Sequence, residues 1–281
     1  METRRLRLLV ELARLGSMRE VAEEMGLTTS TVSQQLAILA RDAGTALVEP
    51  QGRRVRLTPA GRRLAEHGVT ILAAVEAARL DLDPGAEPAG SLRVAGFATA
   101  IRRSLLPVQR LLSVGHRDVR LLIREHEPFE AFALLDSDDI DLALTYDYNL
   151  APAGFESRYE TRRLWSAPWG LGVPAGTAAA DAWPRDWIVN SRNTADEDVV
   201  RTLAALSGHE PRVVHRCDSL ELVQDLIVAG LGVALLPMDM PGRPGIDLLP
   251  LTAPAVDLRG YAVTRRGRSA WPPLALVLSL L

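Results

Sequence analysis

The chain has 281 residues, 47% of them hydrophobic, enough for a small domain and a larger one, each with its own core. A single cysteine, Cys217, excludes an intrachain disulfide framework, and no apolar run is long enough to span a bilayer. Net charge is −3, which argues against general nucleic-acid affinity, yet residues 1–63 carry 11 arginines against 7 acidic residues while the remainder carries 21 against 28. A basic head on an acidic body suits a protein whose DNA contact is confined to one end.

Leu6, Leu9, Val10 and Ala13 fall on one face of a first amphipathic helix over residues 4–15. This opening stretch puts basic residues ahead of apolar ones, as a signal peptide does. Glu11 and Arg14 interrupt the apolar part and no cleavage site follows, so the expectation is a cytoplasmic protein. Ser17 and Glu20 have capping-box spacing, and Met18, Val21, Ala22 and Met25 follow at helical intervals until Gly26 closes the turn. Thr28 suits the N-cap of the next helix, in which Val32, Leu36, Leu39 and Ala43 share a face. The opposite face holds Ser30, Ser33, Gln34, Ala37 and Arg41, with Thr29 and Thr31 at its start. Short hydroxyls and amides almost free of carboxylates suit the major groove of DNA. An ordinary helical hairpin with a solvated face is the alternative.

Arg53, Arg54 and Arg56 cluster around Gly52 before a Val55, Leu57 alternation. They read as a short hairpin, or wing, that carries cations to phosphates, or else as a charged loop. Thr58 and Pro59 then open a long helix to about Leu82. Its stripe of Leu64, Gly68, Ile71 or Leu72, Val75 and Ala78 or Arg79 needs a partner. A second subunit's copy, antiparallel or parallel, is the first candidate and the core of the following domain the second. Pro84, Gly85, Pro88 and Gly90 mark a linker.

From Ser91 strands alternate with helices, the pattern of an α/β domain that binds ligands at the carboxyl ends of its strands. Strands are expected at SLRVAGF, over 119–123, at IDLALTY, WGLGV, WIVN, RVVH, VALLP and RGYAVTR. Capping boxes at Thr194 to Glu197 and Asp218 to Glu221 open two of the helices. No nucleophile elbow, zinc-protease, CxxC, dinucleotide-binding or phosphate-loop motif occurs, so no catalytic residue, cofactor or metal is assigned. The acidic segment around His126 reads as a solvated turn and Cys217 as a buried structural thiol.

Taken together, GSMREVAEEMGLTTSTVSQQLAILARDAG, VRLTPAGRRL, GSLRVAG, LLPVQRLL, DIDLALTY and LVQDLIVAGLGVALLP resemble the LysR-type transcriptional regulators over nearly the whole length. The chain departs from the family's usual pattern at Leu39-Ala40 and at Leu47-Val48 followed by Pro50. The resemblance implies an α+β multidomain fold: a winged helix-turn-helix over 1–58, a dimerising linker helix over 59–84, and a two-lobed α/β effector-binding domain over 90–281, like periplasmic binding proteins. Lobe one would take 90–161 and 265–281, and lobe two 162–264. It further implies promoter DNA as a partner, a homodimer or homotetramer, and an effector in the cleft. Candidate effector contacts are Phe97, Ala98, Thr99, Tyr146 and Asp147 from one lobe and Ser191, Arg192, Asn193 and Thr194 from the other. Helix dipole and Arg192 together point to an organic carboxylate. A small-molecule binding protein or transferase with a helical extension is the alternative function.

Overall fold

Helix α1 (Thr3–Leu15) forms the floor of the N-terminal head because Leu8, Leu9 and Leu12 recur on one side and are all buried. Across them lie α2 (Met18–Glu24) and α3 (Thr29–Ala43), which add Val21, Ala22, Val32, Leu36 and Leu39. The Ser17 hydroxyl accepts the Glu20 N–H, and the Thr28 hydroxyl accepts the Thr31 N–H. The expected inward position of Ala43 fails: it is exposed, because α3 ends there at Gly44 and has no neighbour to bury its last turn. Strands β1 (Val48–Gln51) and β2 (Arg54–Leu57) pair antiparallel as the wing. The structure is a computed structural model that describes residues 1–52, 54–83 and 86–281, with Arg54 described by its backbone alone. Pro84 and Gly85 of the expected linker therefore lie outside the described residues.

Helix α4 (Pro59–Leu82) starts at Thr58, whose hydroxyl takes the Gly61 N–H at 3.0 Å. Its apolar stripe divides between two neighbours. Val69 and Leu72 pack on Leu6 and Val10 of α1 within the same chain. Gly68 permits that approach, since a Cβ there would lie 2.8 Å from a Val10 methyl. Gly68 and Leu72 are therefore removed from any seam between subunits, contrary to the stripe expected from sequence. What remains outward is Ile71, Ala78 and Leu82, with Val75 half-buried.

The C-terminal body begins with β3 (Gly90–Gly96), a short turn of helix α5 (Ala98–Ala100), a π-helical turn over Ile101–Leu105, α6 (Leu106–Gly115), β4 (Val119–Glu125), α7 (Pro128–Asp136) and β5 (Leu142–Tyr148). It continues through β6 (Tyr159–Pro174), α8 (Ala179–Ala182), β7 (Asp186–Val189), α9 (Ala195–Leu206), β8 (Arg212–Arg216) and α10 (Leu220–Val228). Strands β9 (Ala234–Pro237), β10 (Ile246–Pro250) and β11 (Val256–Arg265) precede the last helix, α11 (Pro272–Leu280). The main sheet runs β10-β6-β11-β5-β3-β4, with β9 also on β6, and β7–β8 form a separate parallel pair.

The crossing between lobes is made inside two strands. WGLGV is only the end of the 16-residue β6, whose polar first half, TRRLWS, hides its strand character from an apolar pattern. Strand β11 pairs β6 from Val256↔Trp169 to Arg265↔Tyr159 and also pairs β5 over Leu258–Val263. Residues 258–263 and the start of β6 thus belong to the lobe-one sheet, so the boundary lies within the strands rather than at 161/162 and 264/265. A bulge at Gly260 accommodates Trp165, whose ring would lie 2.5 Å from any Cβ at that position.

Leu72 is 9% exposed and sits in an intrachain core, so Leu72→Ala should destabilise the head by about 2–4 kcal/mol. Urea unfolding followed at several protein concentrations should show the same loss at each of them.

Candidate functional site

The outward face of α3 holds Thr29, Ser30, Ser33, Gln34, Ala37 and Arg41, all exposed. The hydroxyls of Ser30 and Thr31 both bond to that of Thr28 at the helix start, at 2.9 and 2.8 Å. Gln34, Ser33 and Arg41 make no side-chain bond among the described residues, so their donors and acceptors face outward unused. On the wing, Arg56 lies opposite Glu49 in register and pairs with it at 2.7 Å, which offsets its charge locally. Arg53 and the side chain of Arg54 lie outside the described residues.

Between the two lobes of the body is a cavity of about 230 Å³. Parallel strand β3 ends at Gly96, and Phe97, Ala98 and Thr99 follow it directly into the cavity wall. Tyr146 and Tyr148, two residues apart on β5, face the same way, as strand alternation requires. Asp147 between them points to the other side, where Arg259 grips it bidentately at 2.7 and 2.8 Å and Tyr261 and the Ala153 N–H add bonds. It is a structural anchor of β11 and is withdrawn as an effector contact.

The second lobe departs further from expectation. None of Ser191, Arg192, Asn193 and Thr194 lines the cavity. They form a polar turn behind its wall. The Asn190 side-chain oxygen accepts the N–H groups of Arg192 and Asn193, and the Asn193 side-chain oxygen accepts that of Ala195 at 2.9 Å. Thr194 precedes α9 but its hydroxyl caps nothing, since Asn193 already fills that role. Ser219, one residue later than expected, caps α10 by accepting the Leu222 N–H.

Arg192 is not available to an anion. Its Nε donates to Asp218 at 2.8 Å and its Nη1 to Glu130 at 3.3 Å, so it ties α7 of one lobe to the loop before α10 in the other. Asn193 adds a second tie, donating through Nδ2 to Glu127 Oε2 at 2.8 Å and to the Tyr146 hydroxyl, which itself donates to Glu127 at 3.0 Å. The expected carboxylate clamp therefore lacks its cation in this arrangement: Arg192 is paired with Asp218 and Glu130 and lies outside the cavity lining.

What lines the cavity instead is Asn190, Asp196, Cys217, Asp218 and Ser219, with Glu125, Glu127 and Trp169. The segment around His126 is thus not a plain solvated turn: Glu127 is 5% exposed and belongs to the cleft. An acid immediately before Pro128 at a helix start was the available signal, since a carboxylate there suits the free N–H groups of the first turn. Burial pushes the Glu127 carboxyl up, against the opposing pull of Tyr146, Arg192 and Asn193. Burial also raises Asp218, but the bonds from Ser191 and Arg192 outweigh it and leave that carboxyl low. Burial pushes the Cys217 thiol up, and the charges of Asp218 and Asp196 push it further.

Two family models match the chain. One, described as bacterial regulatory helix-turn-helix protein, lysR family, covers residues 3–62; the other, LysR substrate binding domain, covers residues 85–281. The transcriptional dual regulator GltC of Bacillus subtilis is 28% identical over 84% of this chain and 81% of its own length. A hydrogen peroxide-inducible genes activator of Pectobacterium carotovorum is 25% identical over 90% of this chain and 87% of its own. The structure of a full-length OxyR variant from Pseudomonas aeruginosa superposes with a TM-score of 0.70 at 20% identity, over 100% of this chain and 94% of that one.

Burial raises the Asp196 carboxyl from 3.8 to about 6, with N–H bonds from Asn190 and its own backbone opposing and the charges of Glu127 and Asp218 adding. The folded protein therefore holds a proton that the unfolded chain releases. The group favours the fold below pH 3.8, and that contribution is lost as pH rises through about 6. Asp196→Asn keeps an acceptor for Asn190 and removes the charge. Thermal unfolding should show it stabilised by roughly 1–2 kcal/mol at neutral pH, a few degrees in Tm, with the gap closing in acid.

Proposed function

We propose how this chain, which belongs to the LysR family of DNA-binding transcriptional regulators with a ligand-binding domain, divides its work among its parts. The head (1–58) reads an operator, the linker helix (59–84) joins two subunits, and the body (90–281) senses a small molecule in the interlobe cavity. The observation that carries this reading is the pairing of a polar, exposed α3 face at one end of the chain with a partly open interlobe cavity in a separate body. Promoter DNA in the cytoplasm is the partner this requires.

For the DNA contact, Gln34 is the residue placed to read a base edge, because its amide offers a donor and an acceptor together. Ser33, Thr29, Ser30, Thr31 and Arg41 orient the helix, and Arg53, Arg54 and Arg56 reach phosphate. Half-site recognition needs two heads. Ile71, Val75, Ala78 and Leu82 recur at intervals of three to four on the outer side of α4, and Leu82 is 84% exposed, which supports a helix pair as the dimer seam. Further exposed apolar side chains support pairing of bodies into a tetramer: Leu111 and Val114 on α6 are 53% and 81% exposed, and Leu122 on the edge strand β4 is 42% exposed.

The peroxide response in the name of the Pectobacterium relative does not carry over. Peroxide sensing uses a reactive thiolate, and burial together with the charges of Asp218 and Asp196 pushes the thiol of Cys217, the single cysteine, up and so disfavours its thiolate.

On DNA from upstream of the chain's own gene, Gln34→Ala should weaken binding by about 1–3 kcal/mol and relax specificity at one base pair, read by gel shift against single-base operator variants. Unchanged affinity and specificity would remove α3's outer face from the interface. Ile71→Glu should leave Tm within about a degree of wild type, since Ile71 packs in no intrachain core, while sedimentation shows monomer and operator affinity collapses.

A further inference from the structure

We propose that the interlobe cavity receives an organic cation, an ammonium or guanidinium on an apolar or flat body, with its charge held at Asp196 and its body against the aromatic wall. This deepens the reading of the cavity as the effector site and rests on it.

One wall of the cavity is a continuous run of rings. Phe97 and Tyr146 have centroids 4.5 Å apart, Tyr146 and Tyr148 meet edge to face at 6.0 Å, and Tyr148 and Trp169 at 5.5 Å. Ring faces attract cations as well as apolar groups, most strongly where water is excluded. The other lining is acidic: Glu125, Glu127, Asp196, Asp218 and Glu221 stand against one guanidinium, Arg102, which already lies 3.6 Å from Glu221. An acidic lining alone is no site, but these acids are not equivalent. Asp218 is matched by Arg192 and Ser191, and Glu127 by the neutral donors of Tyr146 and Asn193.

Asp196 is the exception. Its Oδ2 accepts the Asn190 N–H at 2.7 Å, while its Oδ1 is buried and accepts no hydrogen bond from any other described residue. A buried acceptor left unpaired is costly, and folded proteins rarely keep one without a use. An ammonium supplies the missing donor and the opposite charge in one group. A carboxylate ligand would bring neither, and would face Glu127 and Asp196 with Arg192 already tied between Glu130 and Asp218.

The arrangement also links occupancy to lobe position. Phe97, Tyr146 and Tyr148 belong to lobe one, and Asp196 stands in the first turn of α9 in lobe two. A cation touching both is bound better when the lobes are close, and that difference in affinity is what can shift a conformational equilibrium.

The test is calorimetric titration of the full-length protein with matched pairs that differ in charge but not in body: 2-phenylethylamine against 3-phenylpropanoate, and 1,5-diaminopentane against heptanedioate. At least one amine should bind about tenfold or more tightly than its carboxylate twin. Asp196→Asn should remove about tenfold of that affinity and narrow the gap between twins, and Trp169→Leu should weaken the aryl amine more than the diamine. Preference for either carboxylate, no amine binding at millimolar concentration, or indifference to Asp196→Asn would overturn the proposal. A gel shift of the ligand-free protein on its upstream DNA keeps the two readings apart, because loss of DNA binding there would count against the regulator and not against the cation site.

Discussion

The body depends on one constraint, the end-to-end pairing of β6 with β11. These strands are the only ones long enough to belong to both lobes among the described residues, and their register is interrupted once, at Gly260. Everything that faces the cavity inherits its direction from that pairing. β5 is hydrogen-bonded to β11, so the register that lays Tyr261 opposite Thr145 also sends Tyr146 and Tyr148 toward the cleft. Asp147 and Arg259, opposite one another in the same register, close on the far side. Where the bulge opens, Trp165 fills the space, its indole N–H donating to Ser104 at 2.9 Å and its ring lying under Arg103 at 4.9 Å. The crossover is thereby packed rather than loose.

Beside the cavity the lobes are tied by polar groups as well as by backbone. Arg192 joins Glu130 to Asp218, and Asn193 reaches Glu127 and Tyr146. The Arg192 pairs are partly exposed, with side chains 34%, 37% and 20% accessible, so each contributes little to stability on its own. Weak, reversible ties next to a buried and unpaired carboxylate suit a domain that has to close on a ligand and reopen. The cost of keeping Asp196 unmatched is a property that a core designed only for stability would lack.

The head is coupled to the body through the linker helix. The inner side of α4 is part of the head, through Val69 and Leu72 on α1, while Thr70 one step round the helix abuts Gly267 just past β11. Thr70 and Gly267 thus form a direct steric contact between α4 and the end of β11. A buried network at the same end holds the body firm: Asp141, 1% exposed, takes Arg93 at 2.9 Å and Arg268 at 3.0 Å, and its carboxyl is kept low by both against the cost of burial.

The sequence alone settled those features whose cause is local. Helical spacing in residues 4–43 placed the head's core and the outer face of α3, and Thr58-Pro59 placed the start of α4, because caps and periodicity act within a few residues. Phe97, Ala98, Thr99 and Tyr146 were legible as cavity lining because clefts in such folds open past the ends of parallel strands, and those ends are visible as apolar runs. Only tertiary structure decided the rest. Whether α4's stripe meets α1 or a second subunit depends on a contact between Val10 and Gly68, more than fifty residues apart. Which of Tyr146 and Asp147 faces the ligand depends on a strand's rotation, fixed by a partner strand more than a hundred residues later. The surroundings of Arg192 were misread for the same reason. Arg192 suggested an anion as long as its neighbours were those in sequence, but the carboxylates that claim it, Glu130 and Asp218, are brought beside it by the closing of two lobes, and a charge's meaning is set by what lies within a few ångströms of it in space.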